Sequence, residues 1–182
     1  MVLYVNACVR KESRTDRLAR HLLQKLGGKY VEVRLSELDL EPLSEECLRK
    51  RTELIEKEMF SEPMFDLARQ FGQAEVIVMA APFWDLSFPA VLKIYLENIY
   101  VTGLVSEYGA DGRPHGLCQA KKLYYVTTAG GPYVLDFSYD YIRTLAGECF
   151  GIPETELVKA EMLDIEGADV EGILEKAKGT VF

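Results

Sequence analysis

The stretch Glu75–Ala81, EVIVMAA, decides how this chain folds. Its apolar residues fall on both faces of an extended chain, and Val76, Ile77 and Val78 are β-branched. A strand apolar on both faces has to be covered on both. The stretch therefore predicts a central strand of a parallel sheet with helices above and below. Pro82–Phe88, PFWDLSF, follows as a loop. A helix is predicted over residues 88–101, with Pro89 in its first turn, where the missing N–H costs nothing. Phe88, Val91, Leu92, Tyr95, Leu96 and Ile99 form one stripe, and Ala90, Ile94 and Val101 carry apolar surface around most of the circumference. Only Lys93, Glu97 and Asn98 are clearly polar. A helix of this kind is expected to be buried on two sides: one against its own sheet, the other against a partner subunit. The alternative is a central helix in a monomer.

Working outward, Val2–Asn6 (VLYVN) reads as a first buried strand. Ser13 or Thr15 can cap a helix running to about Leu26, stopped by Gly27-Gly28. Tyr30–Leu35 alternates and reads as a second strand. Helices are plausible over about 44–58 and 63–72. Residues 102–119 are glycine-rich and irregular. Lys122–Thr127 is a fourth strand, a helix is expected from about Phe137 to Phe150, Glu156–Met162 is a fifth strand, and 169–179 is a closing helix. Strict alternation of strand and helix means a parallel sheet wound right-handed. The expected fold is thus α/β: a flavodoxin-like three-layer sandwich, a five-stranded parallel sheet of order 2-1-3-4-5 with helices on both faces, in one domain over 1–182. Ligands of such sheets sit beyond the carboxyl ends of the strands, where strand order reverses. That picks out the loops after strands one, three and four: 7–15, 81–88 and 128–133.

Composition narrows the classes. The 182 residues are 48% hydrophobic and 27% charged, as in an ordinary globular domain. The net charge of −8 makes bulk-charge gripping of a nucleic-acid backbone a poor prospect. Residues 1–35 nonetheless carry eight Lys/Arg against three Asp/Glu, which suggests either an anion site near the start or an ordinary basic first helix. The four cysteines (Cys8, Cys47, Cys118, Cys149) are widely spaced and the two histidines, His21 and His115, isolated, so neither a metal cluster nor a disulfide framework is expected. No apolar run approaches the ~20 residues of a membrane span, and the expected setting is the cytoplasm, with reduced thiols.

The three loops differ in chemistry. The first carries Arg10, Lys11, Ser13, Arg14 and Thr15 just before a helix, where free N–H groups attract phosphate. It has neither GxGxxG nor GxxxxGK, and its S-x-T suits a terminal phosphate monoester. The second holds Pro82, Phe83, Trp84 and Asp85, with the chain's single Trp beside a Phe. Such a pair can hold a flat ring or can plug the core. In the third, Thr128-Ala129-Gly130-Gly131, the glycines let backbone approach a ligand closely. A phosphate site, a ring platform and a glycine loop at one edge describe a mononucleotide with a flat heterocycle, such as FMN. The acidic cluster of a response regulator is missing: the corresponding strand ends read Asn6-Ala7-Cys8 and Ala80-Ala81.

Ala81–Asn98 (APFWDLSFPAVLKIYLEN), residues 108–117 (YGADGRPHGL) and Lys121–Gly131 (KKLYYVTTAGG) resemble the FMN-dependent NADH-azoreductase and NAD(P)H:quinone reductase family. The resemblance implies a homodimer with FMN at two interface sites. It implies a two-electron ping-pong reaction in which NADH or NADPH reduces the flavin, which then reduces a quinone- or azo-type acceptor. By position, Ser13, Arg14 and Thr15 would bind the FMN phosphate. Pro82, Phe83, Trp84 and Asp85 would line the isoalloxazine, and Thr128, Ala129, Gly130 and Gly131 its pyrimidine end. Tyr133 lies near where quinone reductases carry a tyrosine that shares charge with the reduced flavin.

Three positions depart from the family pattern. Asp16 replaces a neutral amide and is tolerable beside phosphate only if it faces away. Ser106 replaces an aromatic that helps sandwich the second substrate, which bears on azo-dye reduction. No histidine follows the glycine loop, and His115 is expected at the surface. Cys8 is expected to be a packed thiol. Two rival functions stand beside the oxidoreductase: a flavodoxin-type electron carrier and an ancillary subunit with a vestigial flavin site.

Overall fold

A computed structural model describes residues 1–180. In chain order the elements are β1 (Val2–Asn6), α1 (Arg14–Lys25), β2 (Val31–Arg34), α2 (Glu45–Glu56), α3 (Asp66–Gln73), β3 (Val76–Ala80), α4 (Ala90–Ile99), β4 (Ser106–Tyr108), β5 (Pro114–Gly116), β6 (Lys122–Thr128), α5 (Tyr139–Thr144), β7 (Glu154–Ala160) and α6 (Val170–Gly179). The sheet runs β2-β1-β3-β6-β7, all neighbours parallel. Counting only these five strands, the order is the expected 2-1-3-4-5, and the fold is flavodoxin-like α/β.

The two-faced reading of EVIVMAA corresponds to two apolar layers. Ile77, Met79 and Ala81 enter one with Phe71 of α3, Leu92, Tyr95 and Ile99 of α4, and Ile142 of α5. Val78 and Ala80 enter the other with Leu18 and Leu22 of α1 and Leu174 of α6. Ile77, Val78, Met79, Ala80 and Ala81 are each at most 1% exposed. At about 25 cal/mol per Å² of apolar area removed from water, a strand buried on both faces anchors the sheet.

Local chemistry sets the helix ends. Ser13 caps α1, its hydroxyl accepting the Asp16 N–H at 3.3 Å. Gly27 (φ 104°) and the Gly28 N–H, which returns to the Leu23 carbonyl at 2.9 Å, close it. Ser44 caps α2 on the Cys47 N–H at 3.1 Å.

Three details differ from the expectation. The glycine-rich segment 102–119 contains an antiparallel hairpin, β4 against β5. Its strands have three residues each and one begins with Pro and ends with Gly, so no periodicity announces them. Gly116 is seated against the Phe150–Gly151 backbone, where a Cβ would come within 1.9 Å of the Gly151 nitrogen. The last strand runs two residues earlier than expected, because Met162 adopts a left-handed φ of 66° and leaves the ladder to bond the Gly131 carbonyl. A shift of two leaves every side chain on its own face. Finally, the helix after Tyr139 widens into a π-helical turn over Leu145–Phe150, which ends at Gly151 (φ 71°).

Helix α4 buries Leu92, Tyr95, Leu96 and Ile99. Val91 and Ile94 are half-buried, and Lys93 pairs with Glu97 on the outer side. No described helix is long and apolar enough to cross a membrane.

Candidate flavin site

The sheet ladder continues past the strand ends and carries the loops with it. The Ala7 N–H bonds the Ala80 carbonyl (2.8 Å), Phe83 N–H the Thr128 carbonyl (3.0 Å), and Ala129 N–H the Ala160 carbonyl (2.9 Å). These bonds fix where the β1–α1, β3–α4 and β6–α5 loops leave the carboxyl edge. Between them lies a cavity of about 250 Å³.

Its first wall is Ser13, Arg14 and Thr15, with Val9, Arg10 and Glu12 beside them. Ser13 and Thr15 are buried at the first turn of α1. The Thr15 and Thr128 hydroxyls lie 2.6 Å apart and join this wall to the glycine loop. The Arg14 guanidinium reaches the Asp164 carboxylate at 2.6 Å and the Leu163 carbonyl at 3.2 Å. A cation at a helix N-terminus that already holds a carboxylate is a donor set suited to an anion.

Pro82, Phe83 and Trp84 form the second wall. Trp84 is 40% exposed, so it is no core plug. It opens a two-residue turn in which Trp84 and Ser87 exchange backbone hydrogen bonds of 3.0 and 2.8 Å, while Asp85 (φ 49°) and Leu86 (φ 67°) both adopt left-handed conformations. Asp85 therefore shapes the turn and lies off the cavity lining.

The third wall is Thr128, Ala129 and Gly130. Gly130 has no room for a side chain, since a Cβ would meet Asp164 Oδ2 at 2.3 Å. Gly131 lies off the lining and uses its carbonyl to accept the Met162 N–H at 3.0 Å.

Tyr133 stands behind the second wall, its ring 4.5 Å from that of Phe83. Its hydroxyl shares a hydrogen bond of 2.9 Å with Ser138, and Lys159 Nζ sits 4.9 Å from its ring centroid. Burial, aided by Asp136, pushes its pKa well above the usual phenol value.

Nine of the eleven expected binding residues thus meet in one cavity. Arg10, named with the first loop, also lines the cavity; the residues that sequence reasoning missed are Leu163 and Asp164, together with Val9 and Glu12. Leu163 and Asp164 follow β7, whose carboxyl end abuts that of β6, and a fourth loop was implicit in the strand order.

Asp16 faces away from the cavity. It accepts the Tyr4 hydroxyl at 2.5 Å, Asn6 Nδ2 at 3.1 Å and Arg20 Nε at 3.0 Å, with Arg34 at 3.7 Å. Asn6 Oδ1 in turn takes the Cys8 N–H at 3.0 Å, so the network also fixes the start of the first loop. Cys8 is buried, and burial pushes its thiol up to about 11. Ser106 is buried at the start of β4, and His115 is exposed, 3.6 Å from Asp111. Among the described residues no cluster of three or more His, Cys, Asp or Glu could hold a metal ion.

Known proteins match this architecture. An FMN-dependent NADH:quinone oxidoreductase 2 of Clostridium acetobutylicum is 36% identical, with 97% of this chain and 96% of that protein aligned. The crystal structure of an azoreductase from Bacillus anthracis str. Sterne superposes with a TM-score of 0.85 at 22% identity, covering 99% of this chain and 95% of the other. An FMN-dependent NADH-azoreductase from Bacillus anthracis str. Ames Ancestor, in complex with FMN, superposes with a TM-score of 0.81 at 20% identity, covering 99% and 94%. At these identities the two structures speak for the fold. A family described as having a flavodoxin-like fold matches residues 1–181, and the chain belongs to that family.

Proposed function

We propose that this chain is an FMN-dependent NAD(P)H oxidoreductase that reduces quinone- or azo-type acceptors by a two-electron ping-pong cycle. The observation that carries the reading is the meeting of three separated loops around one cavity: a cationic helix start, an aromatic wall and a glycine wall. The relative named as an FMN-dependent NADH:quinone oxidoreductase and the FMN complex of the same fold support it. NADH is the donor in the relative's name, and NADPH is the alternative.

The donor set suits FMN. Arg14 holds a carboxylate where a phosphate would go, and Ser13 and Thr15 add hydroxyls at the first turn of α1. Pro82, Phe83 and Trp84 offer a half-exposed aromatic wall, with Asp85 holding its turn. Thr128, Ala129 and Gly130 line the side that would take the pyrimidine end, and Gly131 supports that loop from off the lining. When bound, FMN supplies the hydride and electron chemistry, and the protein's part is position, charge balance and exclusion of water. Tyr133 would act from behind this wall, its ring packed on Phe83 and its hydroxyl held by Ser138.

The same reading makes the chain a homodimer through the 88–101 helix. Half-buried Ile94, and exposed Leu86, Phe137 and Tyr141 beside the helix start, support that arrangement. The Phe137 N–H bonds the Leu86 carbonyl at 3.3 Å and the Phe88 and Tyr141 rings lie 5.7 Å apart, so these residues form one apolar surface. Four free cysteines fit a reducing cytoplasm.

The test is the visible spectrum of the purified chain with FMN, before and after anaerobic NADH or NADPH. Bleaching of the bound flavin is expected. Bound flavin that neither nucleotide bleaches would favour an electron carrier, and failure to bind FMN would favour a vestigial site.

A further inference from the structure

The polar group that meets Arg14 in the cavity comes from a loop with no part in the three-wall reading. Asp164 follows β7, and its backbone is pinned to the glycine loop. Its N–H bonds the Gly130 carbonyl at 2.9 Å, and the neighbouring Leu163 N–H bonds the Ala129 carbonyl at 3.2 Å. The side chain lies against Gly130, filling the space a Cβ would need. So held, its carboxylate takes Arg14 Nη1 at 2.6 Å, bridging the first and last loops across the phosphate end of the cavity.

We propose that Asp164 competes with the flavin phosphate for Arg14, and so sets how firmly FMN is retained. The inference rests on the flavin reading of this cavity. A phosphate monoester arriving at the start of α1 has two options. It can take Arg14 from Asp164, or share the guanidinium with a carboxylate that repels it. Either way the carboxylate opposes binding. The ion pair itself is 38% and 69% exposed at its two side chains, so losing it costs little. Removing the charge is therefore the larger effect. Arg14 keeps a second anchor, the Leu163 carbonyl at 3.2 Å, which holds it at the cavity without Asp164. Asp164 is thus a specificity-determining residue: its effect falls on flavins with a phosphate and spares those without one.

The experiment compares FMN with riboflavin, which lacks the phosphate, by flavin-fluorescence titration of the intact chain and of Asp164→Asn. The substitution should tighten FMN roughly fivefold and leave riboflavin unchanged. In an Arg14→Gln background the gain should shrink, because the contested group is gone. Unchanged or weaker FMN binding by Asp164→Asn would overturn the proposal. So would an equal shift for both flavins, or a gain that persists in full without Arg14. Absence of FMN binding by the unaltered chain would instead overturn the flavin reading, and this inference with it.

Discussion

The hydroxyls of Thr15 and Thr128 lie 2.6 Å apart although 113 residues separate them. One belongs to the first turn of α1 and the other to the end of β6, so this single bond ties the cationic wall to the glycine wall. Thr128→Val keeps the shape and removes the partner, leaving a Thr15 hydroxyl that is 1% exposed without it. A buried hydroxyl so stranded costs roughly 1–3 kcal/mol. The variant should lose that much in urea unfolding and bind FMN more weakly. The double variant Thr15→Val/Thr128→Val should be less destabilised than the sum of the two single ones.

Trp84 should behave in the opposite way. It is 40% exposed, so Trp84→Ala should change the thermal midpoint little. Aromatic stacking is worth about 0.5–1.5 kcal/mol. FMN affinity should therefore fall by roughly three- to tenfold in an equilibrium titration. An unchanged affinity would assign the ring to packing alone.

Beneath the cavity, Asp16 is the hub of a buried network reaching Tyr4, Asn6, Arg20 and Arg34. Removing its carboxylate strands the buried Tyr4 hydroxyl, at roughly 1–3 kcal/mol, while the Arg20 and Arg34 pairs, partly exposed, add little. Asp16→Ala should approach that loss in denaturant unfolding. Asp16→Asn should lose less, since the amide oxygen still accepts the Tyr4 hydroxyl. Because Asn6 also holds the Cys8 N–H, both variants should loosen the first loop, seen as faster hydrogen exchange over residues 7–13.

Alkaline pH should unfold the chain earlier than a surface-thiol protein. Burial raises Cys8 to about 11 and Cys118 to about 12 from an ordinary 9.0. A group whose folded pKa is raised binds its proton more tightly in the native state. Its contribution is complete below the unfolded value, about pH 9, and drains away as pH climbs toward 11–12. Urea midpoints should thus decline above pH 9, and Cys8→Ala should flatten part of that decline. In native chain at pH 8 the Cys8 thiol should react with iodoacetamide far more slowly than Cys47, which is less buried.

How much of this was legible in the residues depends on what each segment has to announce. The sheet was legible because EVIVMAA and KLYYVTT carry apolar residues on both faces, a pattern only a covered strand satisfies. The hairpin in 102–119 was not: its three-residue strands are held by a close backbone approach at Gly116, a tertiary contact without a local signature. Phe83 and Trp84 were legible as candidates because the chain's single Trp stands beside a Phe at a strand end, whereas the left-handed Asp85–Leu86 turn beside them has no glycine to advertise it. Asp164 escaped notice because its importance comes from Arg14, 150 residues away. The harmlessness of Asp16 depends, beside Arg20 one helical turn on, on Tyr4, Asn6 and Arg34, whose approach no spacing reveals.

Trp84 is the chain's only tryptophan, and it lines the cavity assigned to the flavin. Its emission during titration with FMN therefore reports on the three-loop site directly. The account predicts saturable, near-complete quenching that ends at one FMN per chain. Emission that stays constant through an excess of FMN, once corrected for flavin absorbance, would contradict it.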